Sequence, residues 1–377
     1  MQTLSLDSFN TNHPLYERLK DLGIPKTKTE QYKNFPIKSM LDKEYKFEKL
    51  RYEPVQSGDK LVIENGVVLE YPKNVTIMFD KSFEADKEHF DATYFISHIL
   101  SPTVINIEIL EDIKFEIQHR FSDKETLLSY RVFIKTAPSI KVEILESFYT
   151  FGSENSLLLY GVDADIEKKS TLTWVRDENR FDNEANILGS HSYNLRDNAA
   201  LELKTFDFGS ANSLHLYKID LARYAWTDAA HLLLANKRAR RGNVVQINHN
   251  AEYAKSVQEA RSILKDNATG IFDAKILVTQ DAKYSNAAQN SKAILLDEST
   301  RMYAKPQLEI YIDELEASHG SSIGTLDEEA LFYLCSRGIS RSDAKKMLVL
   351  AFANRLIDTV ADASFIEKIR NDFEGII

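Results

Sequence analysis

Nine histidines and a single cysteine, Cys335, bound the chemistry this sequence can carry. An imidazole is a metal ligand when neutral and a proton carrier near neutral pH. His319 has the most permissive neighbours, Ser318-His319-Gly320-Ser321-Ser322, read as a small-residue turn. Small residues leave a side chain accessible, and glycine lets another backbone approach. A metal ligand and a surface histidine bonded to a local carbonyl are both open readings of His319. His119, His191, His215 and His231 fall in or near strand-like runs without metal-ligand spacing and read as ordinary packed or exposed residues. Glu309 and Asp313 read either as a carboxylate pair or as charges that protect a strand edge.

Several reaction classes lack their residues altogether. There is no G-x-x-x-x-G-K-[ST] loop for nucleotide phosphates, no G-x-G-x-x-G fingerprint, no H-E-x-x-H and no C-x-x-C. One cysteine excludes an internal disulfide, and Cys335, beside Leu331 and Leu334, reads as packed in a helical core.

The elements that must hold His319 are a strand before it and a helix after it. Leu308, Ile310 and Ile312 point one way while Gln307, Glu309 and Tyr311 point the other, the period of a half-buried strand. Thr325 with Glu328 reads as a capping box opening a helix. Ala330, Leu331 and Leu334 form its stripe, and Arg337-Gly338 is its stop signal. Ser340 with Asp343 opens a second helix and Ser364 with Glu367 a third. Upstream, from about Lys60 to Ile312, short alternating runs such as Val75–Phe79, Val104–Ile109 and Lys275–Val278 predict a mainly β region. A sandwich, a barrel and a solenoid all fit. Tight-turn signals beyond Asn65-Gly66 are sparse, which favours coils stacked in one direction, although no clean period is visible. Before this region, Leu15, Leu19 and Leu22 mark a short helix, followed by a loop with buried aromatics around Tyr32 and Phe35.

Forty-seven Lys and Arg against fifty-seven Asp and Glu give a net charge of −10. That balance argues against nucleic acid and anionic membranes as partners. The basic run Lys237, Arg238, Arg240, Arg241 reads as a solvated turn. No apolar run is long enough to span a bilayer. The first thirty residues hold no leader-like apolar region, so a cytoplasmic location is expected.

The stretch KPQLEIYIDELEASHGSSIGTLDEEALFYLCSRGIS, residues 305–340, resembles the C-terminal signature of the SufB/SufD family of iron–sulfur cluster assembly proteins, in its SufD form. Gly23-Ile24-Pro25 through Glu30, Tyr32 and Lys33 resembles the family's N-terminal segment, with Tyr32 where tryptophan is usual. His249-Asn250, Gln258–Ile263, Gly270–Ile276 and Ala287 with Gln289 match further blocks, Ala274 replacing a usual glycine. The resemblance implies a right-handed parallel β-helix core over residues 56–322, between an N-terminal helical region over 1–55 and a C-terminal helical domain over 323–377.

It also implies a non-catalytic scaffold. A SufB-like subunit would pair near Leu308, Ile310 and Ile312. His319 would sit in the assembly site as a metal ligand, with the other ligands from that partner. A SufC-like ABC-type ATPase would dock at Leu331, Phe332, Arg337 and Gly338. No cofactor would be held by this chain alone. The iron–sulfur cluster would be transient, and flavin would belong only to the complex. Many SufD sequences carry cysteine two residues before the histidine, where this chain has Ala317. Two other classes remain on the residues alone: a β-solenoid carbohydrate-active enzyme, and a homodimeric interaction protein using the same junction.

Overall fold

The architecture is taken from a computed structural model that describes residues 4–47, 55–78, 84–101, 104–152, 154–178 and 185–377. Within the expected β region, Phe79 lies outside the described residues.

The alternating runs form a parallel two-sheet solenoid of about seven turns. Each coil sends one strand to each sheet, so residues far apart in sequence become neighbours. The outer side chain of Asn286, for example, donates to Glu316 thirty residues on, at 2.7 Å. One sheet ends at Arg301–Ile310 and the other at Leu315–Gly324. The sparse turn signals are explained by the corners. Single residues there take the left-handed conformation, among them Asn155, Asn198, Lys237 and Asp266, with φ near 60°. The one Asn-Gly pair does make a hairpin. Asn65 and Gly66 have φ of 47° and 81° and join the antiparallel strands Lys60–Glu64 and Val67–Pro72, as the pairing of two left-handed residues requires.

Period-two alternation sends one row of side chains from each strand between the sheets. The inner rows are Val, Ile, Leu, Phe and Tyr toward the N-terminal coils, including Ile117, Val132, Ile144 and Tyr160. The outer rows are apolar too where helices cover them. On one face, α1 (Tyr16–Leu22), α2 (Ile37–Leu41) and α3 (Ala92–Leu100) pack with the loop aromatics Tyr32 and Phe35 over Leu159, Leu188, Leu214 and Leu216. On the other face lie α4 (Glu328–Ser336), α5 (Arg341–Ile357) and α6 (Ala363–Glu374). There Val349, Ala353, Phe365, Ile369 and Phe373 pack over Phe206, Phe208, Leu232 and Leu234.

The C-terminal helices therefore cover a sheet face rather than the last coil, and among the described residues the solenoid's C-terminal end is left open. Their start signals differ from the sequence reading in two of three cases. Asp327, not Thr325, caps α4 by accepting from the N–H groups of Glu329 and Ala330, and Asp362, not Ser364, caps α6 through the N–H of Phe365. A carboxylate adds charge complementarity to the helix N-terminus that a hydroxyl lacks. Ser340 does cap α5, accepting from the Asp343 N–H. The stop at Gly338 holds as well. With φ of 87° it allows Gly338 N–H to donate to Cys335 O and Ile339 N–H to Leu334 O, a Schellman ending.

Candidate functional site

The last two strands, Arg301–Ile310 and Leu315–Gly324, each have a neighbour on one side only among the described residues. Their outer edges offer unpaired N–H and C=O groups, a template for strand addition. Leu308, Ile312 and Leu315 are half-buried against the inner core, while Tyr303, Ile310, Tyr311 and Ile323 are exposed. Of the three residues expected at a partner interface, Ile310 is thus at the surface, and Leu308 and Ile312 are at the rim of the core.

His319 is not in a turn. It lies within the last strand, in register with Gln289. β pairing with Ser285–Leu295 wins over the turn tendency of Ser and Gly because ten consecutive residues join the ladder. Nor is Gly320 needed for close approach inside the chain. A Cβ there would meet only the Asn290 side chain, 3.8 Å away. Leu315 packs on the inner core, so strand alternation puts Ala317, His319 and Ser321 on the inward row. His319 is exposed because no coil follows it. Lys275 and Tyr311 both reach Glu309 at the same end, at 3.4 and 2.5 Å. This explains Glu309 as a paired edge charge and lowers its pKa, mainly through the Tyr311 hydroxyl.

The residues expected to dock an ATPase separate into two groups. Phe332 is 75% exposed and its neighbour Tyr333 57%, whereas Leu331 is fully buried and anchors α4. Leu331 therefore cannot itself meet a partner. Arg337 lies over the Tyr333 ring, 5.2 Å from its centroid. Cys335 is half-buried.

The histidines read as ordinary packing belong to a buried polar network between the sheets. Glu146 accepts from His119 Nε2 at 3.0 Å, Tyr160 Oη at 2.6 Å and Trp174 Nε1 at 2.8 Å. Burial pushes its carboxyl up, but the His119 bond and the Arg176 charge reverse this and hold it below the usual range. One turn on, Arg176 pairs with Asp207 at 2.6 Å and Arg241 with Glu178 at 2.5 Å. Arg241 is fully buried, so the basic run is not all solvated. Val162 N–H donates to His191 Nδ1, which leaves His191 Nε2–H to donate to His215 Nδ1 at 3.0 Å and His215 Nε2–H to donate to Glu178 at 2.7 Å. Asp207 is held at about 2 against its burial by Arg176. Burial lowers the pKa of both His191 and His215.

Glu178, Asp207 and His215 bring one ligand atom each within 4.8 Å of one another. Two guanidinium groups already neutralise the carboxylates, and both nitrogens of His215 are engaged. This cluster is closed as a salt-bridged network rather than laid out for a cation. Its signal in the sequence was polar residues at inward parity, such as Arg176 and Glu178 alternating with Trp174.

A second network joins α3 to the solenoid's outer face. Asp163 accepts from Arg131 Nε at 2.8 Å and Tyr94 Oη at 2.6 Å. Arg131 holds Asp163 at about 2 although burial opposes this.

Residues 119–352 match the family model described as SUF system FeS cluster assembly, SufBD core domain. The iron–sulfur cluster assembly protein SufD of Escherichia coli is 33% identical over 123 residues, 33% of this chain and 29% of that protein. A SufBD family protein of Synechocystis is 33% identical over 128 residues, 34% of this chain and 28% of that protein. SufD of Plasmodium falciparum is 21% identical over 243 residues, 63% of this chain and 16% of that protein. The matches thus span less than a third of these relatives' own lengths.

Proposed function

Because this chain belongs to the SufBD core family of SUF iron–sulfur cluster assembly proteins, we propose that it is a non-catalytic scaffold subunit whose open solenoid end pairs with a SufB-like chain. The observation that carries this reading is the pair of one-sided strands with His319 on the inward row at their mouth. Strand addition would satisfy both edges and cover Ile310, Tyr311 and Ile323. His319 would then face the partner and offer an imidazole to a cluster in transit. Because Ala317 stands beside it on that row and Cys335 lies on α4, thiolate ligands must come from the partner.

Energy would arrive in trans. No nucleotide-binding loop is present in the sequence, and Phe332 and Tyr333 on α4 present an exposed aromatic pair to a SufC-like ATPase. Because α4 continues through Gly338 into α5, which packs on the outer sheet face, a pull on α4 would reach the solenoid.

The test is anaerobic co-expression with SufB-like and SufC-like chains, with mass by light scattering and iron and sulfide assayed on the peak, for wild type and His319→Ala. A complex of unchanged mass that loses iron and sulfide in the variant supports the reading. Unchanged iron and sulfide reject the role of His319, and no complex rejects the scaffold. A stable homodimer that excludes the other chains would favour self-pairing of the same edges.

A further inference from the structure

The interior of the last coils differs from that of the first. In one inward row the register runs Trp174, Leu203, Ala229, Gln258, Gln289, His319. The row thus changes from apolar to small and then to polar as it nears the mouth. The adjacent row runs Thr205, His231, Ala260, Ser291, Ser321. Asn243 and Ala274 belong to inward rows of the facing sheet.

Gln258 is 1% exposed, and neither its Oε1 nor its Nε2 has a protein partner. The same is true of Gln289 Oε1, His231 Nε2, Asn243 Oδ1 and Thr227 Oγ1, all on residues at most 3% exposed. Thr205 Oγ1 lies 2.9 Å from His231 Nδ1, and in either tautomer His231 Nε2 is left needing a partner of its own. An unsatisfied buried polar group costs on the order of 1–3 kcal/mol. Left dry, this set would consume a large part of a domain's net stability, roughly 5–15 kcal/mol. The neighbouring inward positions 229, 260, 274 and 287 are alanines, and coils are spaced by about 4.8 Å, more than the roughly 2.8 Å between hydrogen-bonded oxygens, so waters in successive coils would be linked through the polar side chains between them.

We propose that the last coils hold a file of bound water between the sheets, running from His231 and Asn243 past Gln258 and Gln289 to the mouth at His319. Water suits the mixed set because it can meet His231 Nε2 in either tautomer, donate to the amide oxygens and accept from the Gln258 amide. Resting on the proposed pairing, the file keeps the inner side of His319 hydrated after a partner has covered its outer side.

Two measurements test this on the chain as it is. Gln258→Met and Gln289→Met keep side-chain length and remove polarity. With bound water, each variant strands waters and lowers the urea midpoint. With a dry interior, Gln258→Met removes a wholly unsatisfied amide and raises it, whereas Gln289→Met also loses the Nε2 donations to Ala274 O and Gln307 O and lowers it on either view. A midpoint that stays or rises in Gln258→Met overturns the proposal. X-ray radiolytic footprinting, which makes hydroxyl radicals from bound water in place, should label buried His231 well above equally buried Trp174. An unlabelled His231 overturns the proposal even if a methionine variant fails to fold. In a complex with a SufB-like chain, His319 should stay labelled and lose labelling in Gln289→Met. Failure to form that complex would sink the pairing while leaving the first two results to decide the water file.

Discussion

Glu30, in the N-terminal loop, and Lys305, in the penultimate strand of the solenoid, are ion-paired across 275 residues of sequence. The contact lowers the pKa of Glu30 through the Lys305 hydrogen bond and raises that of Lys305 through Glu30. It ties the N-terminal segment to the sheet that ends at the open mouth. Tyr32, two residues on, is buried with its hydroxyl against Asp91 and Thr93, so the loop is held at both its charged and aromatic positions.

Lys305→Met should therefore loosen the loop without unfolding the molecule. The pair is exposed on both sides, and such pairs contribute little to global stability. Amide exchange at Tyr32 and Phe35 should quicken several-fold while the urea midpoint barely moves. Unchanged exchange would show that the aromatic anchors alone hold the segment.

The buried histidines predict acid lability. Burial lowers His231 to about 3 and His98 and His249 to about 4. Each folded-state value lies below the unfolded value near 6.5, so protonation favours the unfolded chain. Stability is full above pH 6.5 and falls as pH drops through the window from there to about 3. At pH 5 each of the three should withdraw about 2 kcal/mol. The depressed carboxyls Asp163 and Asp207 act lower still, losing their contribution only between about pH 4 and 2. Urea midpoints at pH 7.5 and 5 check the first window. His231→Asn should flatten the slope, and equal midpoints at the two pH values would contradict the burial of these rings.

The salt-bridged network should fail asymmetrically. Arg176→Met leaves Asp207 buried without its cation and should destabilise by about 3–5 kcal/mol. Arg176→Met with Asp207→Leu removes both charges and should recover much of that loss. A double variant no better than Arg176→Met alone would show that Arg176 matters through Tyr217 and His215, which it also contacts.

Much of the β region was legible because period-two alternation survives in each strand. The coil repeat was not. One inward row holds Trp174, Leu203, Ala229, Gln258, Gln289 and His319, so across six coils only glutamine recurs from one coil to the next. His319 stood out by its neighbours, but Ser and Gly suggested a turn where pairing with Gln289 makes a strand. The interior network was hidden for a different reason. Glu178, Asp207 and His215 lie on different strands, and only the register brings them together. Caps were partly misread because Thr325 and Ser364 sit within two residues of better-placed aspartates, Asp327 and Asp362.

The exposed face of α4 supplies the last prediction. Phe332 and Tyr333 leave most of their rings in solvent, whereas Leu331 between the same turns is fully buried. Removing an aromatic anchor from an interface typically costs about 1–3 kcal/mol, while removing it from solvent costs the fold little. Phe332→Ala should leave the urea midpoint within error and weaken binding of a SufC-like ATPase at least tenfold by calorimetry. Leu331→Ala should instead lower the midpoint, and any weaker binding should track the loss of α4. An ATPase that binds Phe332→Ala as tightly as wild type would remove α4 from the docking surface and leave its aromatic pair without the role assigned to it.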